Sequence, residues 1–121
     1  MLHALSFDVE EYFQVANLRG RFDEASWGEV PSRLDVGMEA ILGALERHGA
    51  RATFFFLGWI AERHPRWVER CLESGHEVAS HGWGHAFLHE LGPVGLDEAA
   101  GLGGKPALFY REKPHTHSGC L

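Results

Sequence analysis

Cysteine is scarce: the 121 residues contain two, Cys71 and Cys120, a pair that forms neither a metal-binding spacing nor a disulfide framework. Excess positive charge is absent as well. The formal net charge is −6, which leaves no broad electrostatic footprint for nucleic acid. No apolar run approaches the length needed to span a bilayer. The opening residues, MLHALSFDVEEYF, lack the charged start, apolar stretch and small-residue cleavage site of a secretory leader, so a cytoplasmic location is the expectation. There are no internal repeats and no low-complexity tract. What remains is an ordinary globular composition with enough residues for one domain and a hydrophobic core, and an unusual nine histidines, crowded into the second half.

The pattern along the chain is that of alternating strands and helices. Leu2 to Phe7 is a short apolar run ending on an acid and reads as a first buried strand. Residues 9 to 31 show no clean periodicity and are rich in aromatic and acidic side chains; loops of that length inside a compact domain are usually functional or mobile. A helix follows, with Ser32 as N-cap and Asp35 completing a capping-box pattern. Its apolar face is Leu34, Met38, Ile41, Leu42 and Leu45, at helical spacing, and Gly49 ends it. Thr53 to Leu57 reads as a second buried strand. WIAERHPRWVERCLESG is helical but interrupted, with Pro65 in the first turn of a new helix and Gly75 as its stop. Cys71 falls on the apolar face of that helix, which makes it a buried thiol. HEVAS is a third strand and PALFYR a possible fourth. Apolar strands alternating with helices mean parallel βαβ units, an α/β fold. Between Leu91 and Gly104 five glycines and a proline replace a confident crossover helix, and the tail EKPHTHSGCL has no periodicity, so 91–121 is atypical.

In parallel α/β folds ligands sit beyond the carboxyl ends of the strands. Asp8, Glu10 and Glu11 follow the first strand. His81 and His85, in ASHGWGH, follow the third. Two histidines four apart face one side if the segment is helical or tightly turned, and Gly82 and Gly84 permit a tight turn. Two imidazoles and a carboxylate leave an open position on a divalent ion, the pattern of a catalytic rather than a structural site. A second carboxylate off the metal could then take a proton from water. His89 reads as a surface helical residue, and His76, opening the third strand, as a cap or core residue.

SFDVEEYF, ATFFFLGWIAERHPRWV, SGHEVASHGWGH and GKPALFYR together resemble the polysaccharide deacetylases of carbohydrate esterase family four, the nodulation-deacetylase homology domain. The resemblance is strongest over 2–85 and is greatest to the branch opening F-D-V-E, associated with exopolysaccharide export. It implies that 1–121 is the N-terminal portion of a single-domain distorted (β/α) barrel. It also implies a metal-dependent hydrolase acting on carbon–nitrogen bonds other than peptide bonds, which removes acetyl groups from N- or O-acetylated polysaccharide or oligosaccharide. In the family's T-F-D-D motif the first Asp is the catalytic base and the second a metal ligand. Here the motif reads Ser6-Phe7-Asp8-Val9, so Asp8 carries over as base and Val9 cannot ligate. A D-x-E arrangement makes Glu10 the carboxylate ligand; strand alternation puts it on the side of Asp8 and sends Glu11 to the other. His81 and His85 match the two histidines of H-S/T-x-x-H, without the hydroxyl at the second position. These three would hold a divalent ion, Zn²⁺ in the first instance. Arg111 matches the arginine of R-x-P that orients the catalytic carboxylate, although the proline comes one residue late, at Pro114. The later motifs, including the general-acid histidine, are missing, and neither His115 nor His117 matches their pattern. A truncated copy or a fragment of a longer protein is therefore expected. The alternative to an enzyme is a non-catalytic metal-binding fragment that associates with itself, as a homo-oligomer, or with another chain.

Overall fold

The computed structural model describes residues 2–85. Strand β1 (Ser6–Val9) leads into a long connection carrying three short 3₁₀ turns, then helix α1 (Leu34–Arg47), strand β2 (Thr53–Phe56), helices α2 (Gly58–Arg63) and α3 (Pro65–Glu73), and strand β3 (Glu77–Ser80). The strands form one parallel sheet in the order β1-β2-β3, which is the expected α/β architecture of parallel β/α units. The candidate fourth strand, the glycine-rich stretch from Leu91, and His89, Arg111, His115, His117 and Cys120 lie outside the described residues.

β1 is shifted forward from the Leu2–Phe7 expected of it. β2 has only four residues, and its register pairs Ser6 with Thr53 and Val9 with Phe56. Residues 2–4 have no strand to pair with, and Leu2 is fully exposed. The shift places Asp8 within the strand rather than beyond its end.

The core is built from the periodicities of the sequence. Phe54 and Phe56 on β2 and Leu57 and Ile60 after it are completely buried, each contributing roughly 2–3 kcal/mol of hydrophobic burial. Leu34, Met38, Leu42 and Leu45 cover the sheet from α1, with Ile41 at the margin. Gly49 and Gly75 end α1 and α3 with φ of +59° and +82°, a region open to glycine at no steric cost. Pro65 starts α3 at its first turn, as its missing N–H allows. The N-cap position is Arg33, without a side-chain cap, rather than the expected Ser32, because α1 begins at Leu34; the Ser32 hydroxyl, one residue ahead of the cap, still accepts the Leu34 N–H at 3.3 Å. The capping box fails, however, because Asp35 turns away to accept from Trp67 Nε1 at 2.8 Å and to pair with Arg66.

The aperiodic connection is pinned by aromatic rings. Phe13 and Trp27 both meet the Trp59 ring of α2 edge-on, at 5.9 and 5.7 Å between centroids. His76 is buried, and its Nδ1 accepts the Ala52 N–H at 3.3 Å. It is a core residue tying β3 to β2. Cys71 is buried, and burial pushes its thiol up to about 12. Among the described residues no helix is long and apolar enough to cross a membrane.

Candidate metal centre

Glu10 and Glu11, adjacent just past β1, point in opposite directions. Val9 is buried, so its neighbours Asp8 and Glu10 face away from the core. Both reach the histidine pair: Asp8 Oδ2 lies 4.0 Å from His81 Nε2, and Glu10 Oε2 contacts His85 Nε2. Glu11 points the other way and is 2% exposed. Its carboxylate accepts from the Ser32 hydroxyl and from the Arg33 N–H at 3.1 Å, so it fastens the start of α1 to the end of β1.

The histidines sit on a loop held from two sides. The His81 N–H donates to the Phe56 carbonyl at 2.8 Å, continuing the β3–β2 ladder. Gly82 has a φ of +76°, as the tight turn demands. Its carbonyl accepts the Gly58 N–H at 2.7 Å, and the Trp83 carbonyl accepts the Trp59 N–H at 3.1 Å. Two N–H groups of the first turn of α2, which have no partner within the helix, are thereby satisfied by the loop. The second loop glycine serves a different purpose from the first. A Cβ on Gly84 would lie 3.3 Å from the Trp27 ring, so it is close packing rather than a positive φ that favours glycine there. Gly58 is tighter still: a Cβ there would be 2.6 Å from Trp83 Cε3.

The His81 and His85 rings stand edge-to-face at 5.1 Å. One donor atom from each of Glu10, His81 and His85 can be chosen so that all three lie within 4.8 Å of one another. Two donors with bonds of about 2.1 Å to one ion stand at most about 4.2 Å apart, so small side-chain adjustments would bring the three onto a common ion, and two imidazoles with a carboxylate suit a borderline divalent metal. The donors fit such an ion. Asp8 stands apart, with its carboxylate half-exposed. The hydrogen bond to Glu10 raises the pKa of His85 above its ordinary value; the Glu10 and Asp8 charges add to this, and burial opposes it. The chemistry available to the cluster is divalent-metal binding with a free carboxylate alongside. Arg111, expected to orient Asp8, is outside the described residues.

A family model for polysaccharide deacetylase matches residues 22–99. The chain is 49% identical over 48 residues to the peptidoglycan-N-acetylglucosamine deacetylase PgdA of Listeria monocytogenes, covering 40% of this chain and 10% of that protein. It is 34% identical over 84 residues to chitin deacetylase 1 of Saccharomyces cerevisiae, covering 69% of this chain and 24% of the yeast protein. Its fold is similar to that of the peptidoglycan deacetylase PdaC of Bacillus subtilis, with a TM-score of 0.55 and 24% identity over 84% of this chain and 42% of the other. The chain thus spans less than half the length of each of these relatives.

Proposed function

The chain belongs to the polysaccharide deacetylase family, and on that premise we propose that it is a metal-dependent hydrolase removing acetyl groups from an acetylated polysaccharide. Glu10, His81 and His85 hold the ion, Zn²⁺ being the species their donors suit best, and Asp8 is the base. The observation that carries the reading is the meeting of these four side chains, from β1 and from the loop after β3, at one end of the parallel sheet. The names of the relatives, which act on peptidoglycan and chitin, support polymers of N-acetylglucosamine as the substrate class.

A bound divalent ion supplies Lewis-acid polarisation of a carbonyl and lowers the pKa of water. The protein's own groups do the rest. Glu10 offsets part of the ion's charge, while the two imidazoles donate to it in their neutral form. Asp8, off the ion, accepts the proton of the attacking water at a carboxylate oxygen. The tether of the loop to α2 keeps the imidazoles in place, so that geometry is set before substrate arrives.

The test measures metal content by elemental analysis and acetate release from N-acetylated chitooligosaccharides. Asp8→Asn should keep the metal and lose activity by a factor on the order of 10²–10⁴. The double variant His81→Ala/His85→Ala should lose both. Equal metal content in the double variant and the parent would reject the ligand set, and metal loss in Asp8→Asn would make Asp8 a ligand. A second reading, a metal-binding unit without turnover that completes its sheet with another chain, is favoured by one observation. Among the described residues, β1 and β3 each have an unpaired edge, and exposed edges invite strand pairing. Metal retained without acetate release, in a dimer or larger species, would select it.

A further inference from the structure

The backbone bonds of the histidine loop hold only its first part. Among the described residues they end at Trp83, two residues before His85. On the other side of the loop stands the last 3₁₀ turn of the long connection, Glu24–Glu29. In a 3₁₀ helix side chains three residues apart eclipse one another, so Glu24 and Trp27 share one face of that turn. The face meets the loop at two consecutive residues. Glu24 Oε1 accepts from Trp83 Nε1 at 3.3 Å, and the Trp27 ring packs where a Cβ on Gly84 would be 3.3 Å from it. Glu24, Trp27 and His85 also line one cavity of about 220 Å³.

Both partners in this contact are fixed by their own surroundings. Asp23 caps the turn: its Oδ1 accepts the Ser26 N–H at 3.1 Å, and its carbonyl accepts from the Ser26 hydroxyl at 2.8 Å. Trp27 is buried, with its ring set against Phe13 and Trp59. Gly82 has no side chain with which to hold the loop; Trp83 does. Its indole lies over Gly58, where a Cβ would come within 2.6 Å of Cε3. Holding the indole at both ends, on Gly58 and on Glu24, restrains the backbone between the two imidazoles.

We propose that Glu24 is a positioning residue for His85: acting through the Trp83 indole, it sets the direction from which that imidazole meets a divalent ion. The proposal rests on the ligand set Glu10, His81 and His85. Groups that bond a metal ligand directly change metal affinity by roughly 10–100-fold, and Glu24 acts one step further out, so its loss should cost about threefold to tenfold.

The experiment loads the full chain with Co²⁺ and reads its dissociation constant by competition with a chelator, together with the visible d–d absorption, which reports the geometry around the ion. Glu24→Ala should weaken Co²⁺ binding by that factor and shift the absorption. Glu24→Gln should restore both, because its amide oxygen accepts the same N–H. Glu29→Ala, which removes an equal charge from another face of the same turn, should change neither. In a Trp83→Phe background, where no indole N–H is left to donate, Glu24→Ala should cost nothing further. Unchanged affinity and absorption in Glu24→Ala, a Glu24→Gln variant as weak as Glu24→Ala, a matching loss in Glu29→Ala, or equal losses in the two backgrounds overturns the proposal. The ligand set is judged separately. If His81→Ala/His85→Ala binds Co²⁺ as well as the parent does, that set is wrong and the proposal falls with it. If the double variant loses the ion while Glu24→Ala holds it unchanged, the metal centre stands and the positioning role alone is removed.

Discussion

Glu10 and Glu11 are chemically identical and adjacent, yet they sit in different surroundings, and exchanging each for alanine should separate the ligand role proposed for Glu10 from the anchoring role of Glu11. Glu11 is buried and accepts two hydrogen bonds, from the Ser32 hydroxyl and the Arg33 N–H. A hydrogen bond to a charged acceptor is worth about 1.5–3 kcal/mol, and its loss leaves the donor unpaired. Ser32 can turn to other partners, so Glu11→Ala should cost about 3 kcal/mol rather than the full sum. With a urea slope of about 2 kcal/mol/M for a chain of this size, the unfolding midpoint should fall by about 1.5 M. Metal content per folded chain should not change. Glu10 is a partly exposed partner of His85, and pairs of that kind are worth about 0–1 kcal/mol. Glu10→Ala should therefore barely move the midpoint in the absence of metal, yet lower zinc content sharply. The assay is urea unfolding followed by tryptophan fluorescence on metal-free protein, with elemental analysis of the same preparations after zinc loading. Loss of zinc in Glu11→Ala at an unchanged midpoint would refute the reasoning, as would a large midpoint shift in Glu10→Ala.

Two further predictions concern the loop and pH. Gly58→Ala would drive a Cβ to within 2.6 Å of Trp83 Cε3, so it should cost about 1–3 kcal/mol by overpacking and reduce zinc uptake by displacing the histidine loop. Gly37→Ala, with nothing near its Cβ in α1, is the control and should stabilise by about 0.5–1 kcal/mol; equal midpoints for the two variants would remove the clash from the account. The hydrogen bond from Arg66, then that from Trp67, lowers the pKa of Asp35 below its ordinary value. Its folded pKa is the lower one, so the stabilisation is present above the usual carboxylate range and is lost as pH falls through the folded value. The stability gap between the parent and Asp35→Asn should accordingly narrow on acidification below about pH 4, by less than ~1 kcal/mol for so exposed a pair; a gap that widens would contradict the assignment.

Where sequence patterns were strong, they located the elements. The 3.6-residue spacing of Leu34, Met38, Leu42 and Leu45 marks the buried face of α1, and Pro65 and Gly75 bracket α3, because these signals depend on the local backbone alone. The extent of β1 depended on its partner. A four-residue β2 sets which residues of β1 can pair, and no property of residues 2–9 reveals that length. Alternation at Asp8, Val9 and Glu10 gave the directions of the two neighbouring acids, but not the task of Glu11, whose partners are 21 and 22 residues away. Glu24 and Trp27 were visible only as members of an aperiodic stretch rich in aromatic and acidic residues. That a long loop is functional is a fair inference from its length; which of its side chains meet the histidine loop is a property of the assembled fold. Gly84 shows the same limit at a single residue, since a glycine wanted for space and one wanted for its φ look alike in sequence.

The backbone bonds that tie Gly82 and Trp83 to the start of α2 and His81 to the end of β2 bear on the thermodynamics of metal uptake. Ordering a residue's backbone costs about 1–2 kcal/mol of conformational entropy. For the segment from His81 to His85 that cost falls within folding itself, through contacts that involve no ligand. On the proposed ligand set, uptake of an ion would then require little more than adjustment of three side chains, in contrast to small zinc modules whose chains fold only on binding. Chelation and reloading should thus cycle the site between its two states with the far-ultraviolet circular dichroism of the sheet and helices unchanged, and the fold can serve as a fixed frame in which different divalent ions are compared.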